Sequence, residues 1–276
     1  MDARGSARWS GGVAVDNSNC DWHVIVFADN LNRQLLGAVL GEHLDMERAD
    51  TLRLAAHMPG VLPRSLTSDQ AGRLVEALTH VGIDAEAWPV DRIPDLSEPR
   101  TVHKVICRAD GLESFGLHGE PSHWLPWEQV ELLSLGVLPR AAKELSLAAP
   151  VWVTAAAAVV RPLLLGGPRS RAHRVKRREP VAPELWIIRA RPVLALRVQR
   201  DRMSYEYLGE RLQPSTRANF RLLLADLVAA VPHATVTPAA QSFIAGDRPG
   251  HFHFASAQHL MEYTTWQLLL RWRTAN

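Results

Sequence analysis

The chain has 276 residues, and its 47% apolar content is enough to bury the core of one large or two ordinary domains, which excludes global disorder. Lys and Arg number 31 against 29 Asp and Glu, so net charge argues for neither a nucleic-acid nor a membrane partner. The two cysteines, Cys20 and Cys107, lie far apart in sequence; this excludes a disulfide framework and favours a reducing, cytoplasmic setting.

Residues 1–20 carry Arg4 and Arg8 but no apolar h-region, and read as a flexible tail rather than a signal peptide. Residues 21–96 then read as a small βααβαβ module. The run His23 to Ala28 is β-prone and stops at a polar turn, as a buried strand does. Leu31, Leu35, Leu36, Val39, Leu40 and Leu44 follow at helical spacing, and a second helix over Met46–His57 would turn Ala49, Leu52 and Ala56 inward. Val61–Leu66 is a short strand. Thr67 and Gln70 stand at capping-box spacing before Ala71, Leu74, Val75 and Leu78, with Gly82 where a left-handed cap belongs. Ile83–Val90 returns as a strand, with Pro89 at an edge.

From residue 100 to 232 the pattern is β-rich. Thr101–Arg108 and Leu112–Leu117, joined by turn residues, predict an antiparallel meander, with Trp124 and Trp127 stapling it to its helix; Trp124-Leu125-Pro126-Trp127 leads into the segment 128–135, which ends at Gly136. Strands resume at 185–189, 193–198 and 203–208, and a helix over 215–231 carries Phe220, Leu223, Leu224, Leu227 and Val231 on one face. Residues 141–183 are an insertion, apolar first and then basic. Residues 233–276 form a C-terminal helical extension whose last helix, about 256–272, offers Leu260, Tyr263, Trp266, Leu269 and Leu270. The fold class is therefore α+β: a small N-terminal domain followed by an antiparallel β-rich domain closed by helices. No transmembrane span is expected, because Pro150 and Arg161-Pro162 cut the apolar stretch Leu145 to Leu165 well short of the roughly 20 residues a span needs.

The residues Val24-Ile25-Val26-Phe27-Ala28-Asp29-Asn30, then Ala49, Leu52, Ala55-Ala56-His57 and Gly60, and later Ala71, Leu74, Leu78 and Gly82 make the first module resemble the fold shared by ClpS-type adaptors and the C-terminal domain of the bacterial ribosomal stalk protein. In ClpS-type adaptors an Asn-Asp pair and a helix-terminal His clamp the α-amino group of a substrate. The resemblance puts Asp29 and His57 in that peptide-binding clamp, Ala28 in the place of the Asn, and Arg53 and Ala56 along the pocket for an apolar side chain. It therefore implies a degenerate clamp. The second module, by element order, resembles a pleckstrin-homology-type roll.

Other chemistry is sparse. His251 and His253 share the spacing of a strand-borne ligand pair but lack a third ligand, so no metal is expected. His103 and Cys107 would lie about 13 Å apart on a strand, too far for a base to reach a nucleophile. No catalytic motif and no cofactor loop is recognised. The densest charge is Arg169, Arg171, Arg174, Lys176, Arg177 and Arg178, a candidate anion-binding run that fits phosphates, an anionic membrane surface or a solvated linker. The reading is a non-enzymatic, adaptor-like protein that binds a protein or peptide; a nucleic-acid-associated protein using residues 169–178 is the alternative.

Overall fold

A computed structural model describes residues 21–28, 30–139, 181–247 and 252–275. The expected tail over 1–20, Asp29, the basic run 169–178 and His251 lie outside these residues. Helices and antiparallel-rich sheets are mixed, so the fold is α+β. Contacts divide the chain into two compact units, the first built from the part up to Asp95 together with the part from Glu262, the second running from Leu96 to Met261.

The first unit follows the expected element order: β1 (Trp22–Val26), α1 (Arg33–Leu44), α2 (Arg48–Ala56), β2 (Gly60–Val61), α3 (Ser68–His80) and β3 (Ala85–Pro89). β1 is central, antiparallel to β2 on one side and to β3 on the other, and Pro89 sits on an edge strand. The capping box of α3 is formed in full, with Thr67 and Gln70 each satisfying the other's backbone N–H, and Gly82 takes φ +77°. α2 turns a different face inward from the one its sequence suggested. Thr51 and Ala55 are buried whereas Ala49, Leu52 and Ala56 are exposed. The glycines of α1 explain the rotation: a Cβ on Gly37 would stand 3.1 Å from Leu52, and one on Gly41 3.7 Å from Thr51, so the helices close on glycine and threonine while Leu52 lies across the seam. The expected strand over 61–66 reduces to β2 and a bridge between Leu66 and Trp22.

One face of this sheet, carrying Val24 and Val26, packs under α1 and α3 with Leu36, Leu40, Leu74 and Leu78. The other face carries Ile25 and Phe27, and it is covered by the last helix, α6 (Ala257–Ala275), through Trp266 and Leu269. The Trp266 indole donates to the Val26 carbonyl at 3.0 Å. Arg273 closes the end of this contact, bidentate on Asp84, with Nε 2.6 Å from Glu86 and the guanidinium 4.6 Å from the Phe27 ring centre. Its hydrogen bonds hold the Asp84 carboxyl below the usual carboxylate range, so this aspartate contributes stability above its unfolded pKa and loses it as pH falls through the folded value.

The second unit holds β4 (Arg100–Val102), β5 (Lys104–Cys107), β6 (Gly111–Phe115), β7 (Pro121–Pro126), β8 (Leu132–Pro139), β9 (Val181–Arg189), β10 (Leu194–Gln199), α4 (Thr216–Ala230), β11 (Thr235–Val236) and α5 (Pro238–Ala245). β5, β6 and β7 form the meander, and β11-β8-β9-β10-β4 a second sheet in which the β11·β8 and β10·β4 pairings are parallel. Both sheets, α4 and α5 share one core, and all five residues expected on α4's apolar face are buried in it. Four expectations change here. Gly136 does not end a segment; it lies within β8, where a Cβ would come within 2.6 Å of Leu260 and 2.8 Å of Phe254. Trp124 does not staple the meander but stands 44% exposed, while the half-buried Trp127 donates its indole N–H to the Arg108 carbonyl. Residues 203–208 are not a strand: Met203 and Tyr205 are buried at strand spacing, but only Ser204 forms a bridge, to Lys104, and from Glu206 to Arg211 the chain coils into 3-10 turns broken at Gly209, which bury Leu208. The insertion yields residues 181–183 to β9.

Because Trp266 is 6% exposed and both packs and donates, Trp266→Ala should cost about 3–5 kcal/mol and Trp266→Phe about 1 kcal/mol. Denaturant titration of the two variants checks the ratio; equal losses would show that the indole hydrogen bond, not the packing, holds the helix.

Candidate functional site

The turn after β1 and the turn after α2 meet on the first unit. Asn32 caps α1, its Oδ1 accepting from the Gln34 and Leu35 N–H groups at 3.2 Å, which fixes the polar run 30–34 at the helix start. At the end of α2, His57 Nδ1 donates to the Arg53 carbonyl at 2.9 Å, a helix-terminal bond that makes Nε2 the acceptor nitrogen of the neutral ring. Met58 is buried beside it and Pro59 follows. Between these two chain ends lies an open groove of about 570 Å³, lined by Asn30, Leu31, Asn32, Arg33, Gln34, Met58 and Pro59.

His57 is exposed and sits one residue before the groove lining. Arg53 turns along its own helix to Asp50, with 2.9 Å between Nη1 and Oδ1, and 77% of its side chain is exposed. Ala56 is exposed and Ala28 half-buried. Asn32, Gln34, Met58 and Pro59 carry no signal of a site in the sequence alone. A helix that stops right after a histidine places that histidine beside the next chain segment, here Met58-Pro59-Gly60.

The remaining candidates fall elsewhere. His253 is exposed and forms a bridge with Val137. His103 Nδ1 donates to the Arg202 carbonyl at 3.1 Å, between β4 and β5. Cys107 packs against the core of the second unit, and burial first, then the Asp226 carboxylate, pushes its thiol up to about 11. The same aspartate accepts the Tyr207 hydroxyl at 3.1 Å and both Nη groups of Arg211 at 2.8 Å, which ties the 3-10 helix to α4. Burial again raises Tyr207. Among the described residues, no helix is long and apolar enough to cross a membrane.

No family model matches the chain, and no curated protein matches it.

With a thiol near 11, Cys107 holds only about one thiolate in a thousand at pH 8. Its alkylation by iodoacetamide, followed peptide by peptide to separate it from Cys20, should rise about tenfold per pH unit up to pH 10. A plateau below pH 9 would contradict the burial argument.

Proposed function

We propose that this is an adaptor-like, protein-interacting chain whose first unit receives a peptide end in the groove between the start of α1 and the end of α2. The observation that carries this reading is the position of the groove. It opens between the two turns to which the ClpS-type resemblance assigns Asp29 and His57. The βααβαβ order of the unit is the order that resemblance requires. A carboxylate and an imidazole acceptor suit an ammonium group, and the amide side chains of Asn30, Asn32 and Gln34 suit the backbone of an extended peptide. The two-cysteine composition supports a cytoplasmic setting.

The affinity is weak on this reading. Ala28 supplies no side-chain hydrogen bond, and the resemblance puts Arg53, whose guanidinium turns to Asp50, along the pocket meant for an apolar side chain. Loss of one charge-assisted hydrogen bond costs about 1.5–3 kcal/mol, or roughly ten- to a hundredfold in affinity.

Calorimetry with the full chain and short peptides beginning with Leu or Phe tests the proposal. Weak binding should vanish when the peptide is acetylated and when Asp29 or His57 is changed to Ala, and Arg53→Met should strengthen it. Binding indifferent to acetylation would remove the clamp, and tight binding by the natural sequence would show that the clamp is not degenerate.

A further inference from the structure

The two sheets of the second unit present a cluster of basic groups at the margin of their shared core. In the meander, His123 on β7 pairs with Ser114, which in turn pairs with Val105. Ser114 and Val105 are 0% and 1% exposed, so His123 projects from the face that looks into the core. In the five-stranded sheet, Arg189 on β9 pairs with Leu194, and Arg100 on β4 with Leu196. Both leucines are buried in the same core cluster as Val105. The two arginines therefore leave the sheet on its core side, toward the histidine. Arg100 is exposed, and Arg189 and His123 are half-buried.

Their partners are neutral. Arg189 donates from Nε to the Pro192 carbonyl at 2.9 Å and from Nη1 to Gln129 Oε1 at 3.1 Å. His123 Nδ1 shares a 2.8 Å hydrogen bond with the Ser122 hydroxyl. Among the described residues neither Arg100 nor Arg189 forms an ion pair. Elsewhere in the chain, partly buried guanidinium groups are matched to carboxylates: Arg197 to Glu184, Arg200 to Asp201, Arg273 to Asp84. Two guanidinium groups set around one imidazole repel it and each other unless an anion joins them.

We propose that Arg100, Arg189 and His123, with the Ser122 hydroxyl, form a binding site for a phosphoryl-class oxyanion. Guanidinium forks match the tetrahedral oxygens of phosphate, a serine hydroxyl donates to a further oxygen, and a protonated imidazole completes the charge. The site lies wholly within the second unit and is independent of the peptide groove.

The electrostatics give the site a readout. Burial first, then Arg100 from β4 and Arg189 from β9, holds the imidazole below its usual range. A depressed histidine pKa means that the unfolded chain binds the proton more tightly; the stability that the neutral ring contributes is lost as pH falls below the unfolded value of about 6.5. An anion between the three groups reverses this. By linkage, an anion that binds the imidazolium form about tenfold more tightly raises the His123 midpoint by about one pH unit.

Histidine-ring NMR titration of the full chain, with inorganic phosphate against chloride at matched ionic strength, tests the site. Phosphate should raise the His123 midpoint saturably and beyond the chloride effect. Arg100→Gln removes a side chain with no ion pair to maintain; it should raise the midpoint without phosphate and cut the phosphate response severalfold. O-phosphoserine separates the sources. A response to it as strong as to phosphate assigns the site to a phosphoryl group on a larger molecule, a response to phosphate alone assigns it to the free anion, and both uphold the site. Identical responses to phosphate and chloride, or a phosphate response untouched in both Arg100→Gln and Arg189→Gln, would overturn it.

Discussion

β1 is a five-residue strand buried on both faces, and the first unit depends on covering the second of them. Val24 and Val26 face α1 and α3, but Ile25 and Phe27 point the other way, and a three-stranded sheet with one bare apolar face is a poor fold in water. The cover comes from Glu262 onward, more than 200 residues later in the chain. Trp266 and Leu269 pack on that face, Trp266 donates its indole N–H to the Val26 carbonyl, and Arg273 fastens the far end by two carboxylates and the Phe27 ring. The strand that carries the groove turn at its end is thus held from both sides.

This explains what sequence could and could not reveal. Signals confined to one segment are plain: the Thr67–Gln70 box, the left-handed Gly82, and the stripe from Phe220 to Val231 each depend on residues within a few turns of one another. Where a partner segment decides, the reading slips. Leu52 looks like the obvious core residue of α2, yet Thr51, set against Gly41, and Ala55 are the buried ones, while Leu52 lies beside Gly37 and stays 39% exposed. Gly136 looks like a terminator, because nothing nearby in sequence shows that Leu260 and Phe254 will occupy the space above it. Met203 to Leu208 has strand composition, and Met203 and Tyr205 keep its alternation, but the turn that starts at Glu206 buries Leu208 out of step with them. The Arg100, Arg189 and His123 cluster drew no notice for the same reason: its members come from three strands, and only the register of two sheets brings them together.

The second unit deals with buried charge by saturating it. Glu184, with 4% of its side chain exposed, accepts both Nε and Nη2 of Arg197 at 2.7 Å, the Trp186 indole at 2.8 Å and the Gln199 amide at 3.2 Å. All these donors lie on β9 and β10, with Gln199 directly opposite Glu184 and Arg197 opposite Trp186, so correct register is a condition of satisfying the carboxylate. A slip of one residue would leave that charge buried without its partners, a penalty of several kcal/mol. The network therefore specifies the pairing that also fixes where Arg189 emerges.

The shifted titrations divide by direction, and the division bears on what the second unit does near neutral pH. Burial drives Cys107, Tyr205 and Tyr207 upward, away from neutrality, so all three hold their protons under ordinary conditions and act through shape and hydrogen bonding: Tyr205 on the Arg200 carbonyl, Tyr207 on Asp226. His123 is displaced the other way, and among these shifted groups it is the one whose ordinary range adjoins neutrality. Burial lowers His123 first, as it raises Cys107 and the tyrosines, but the share that comes from two guanidinium groups is one that an anion between them would offset, as proposed above. On the proposed site, the His123 titration is therefore coupled both to the fold, through the burial that lowers it first, and to whatever anion joins the two arginines.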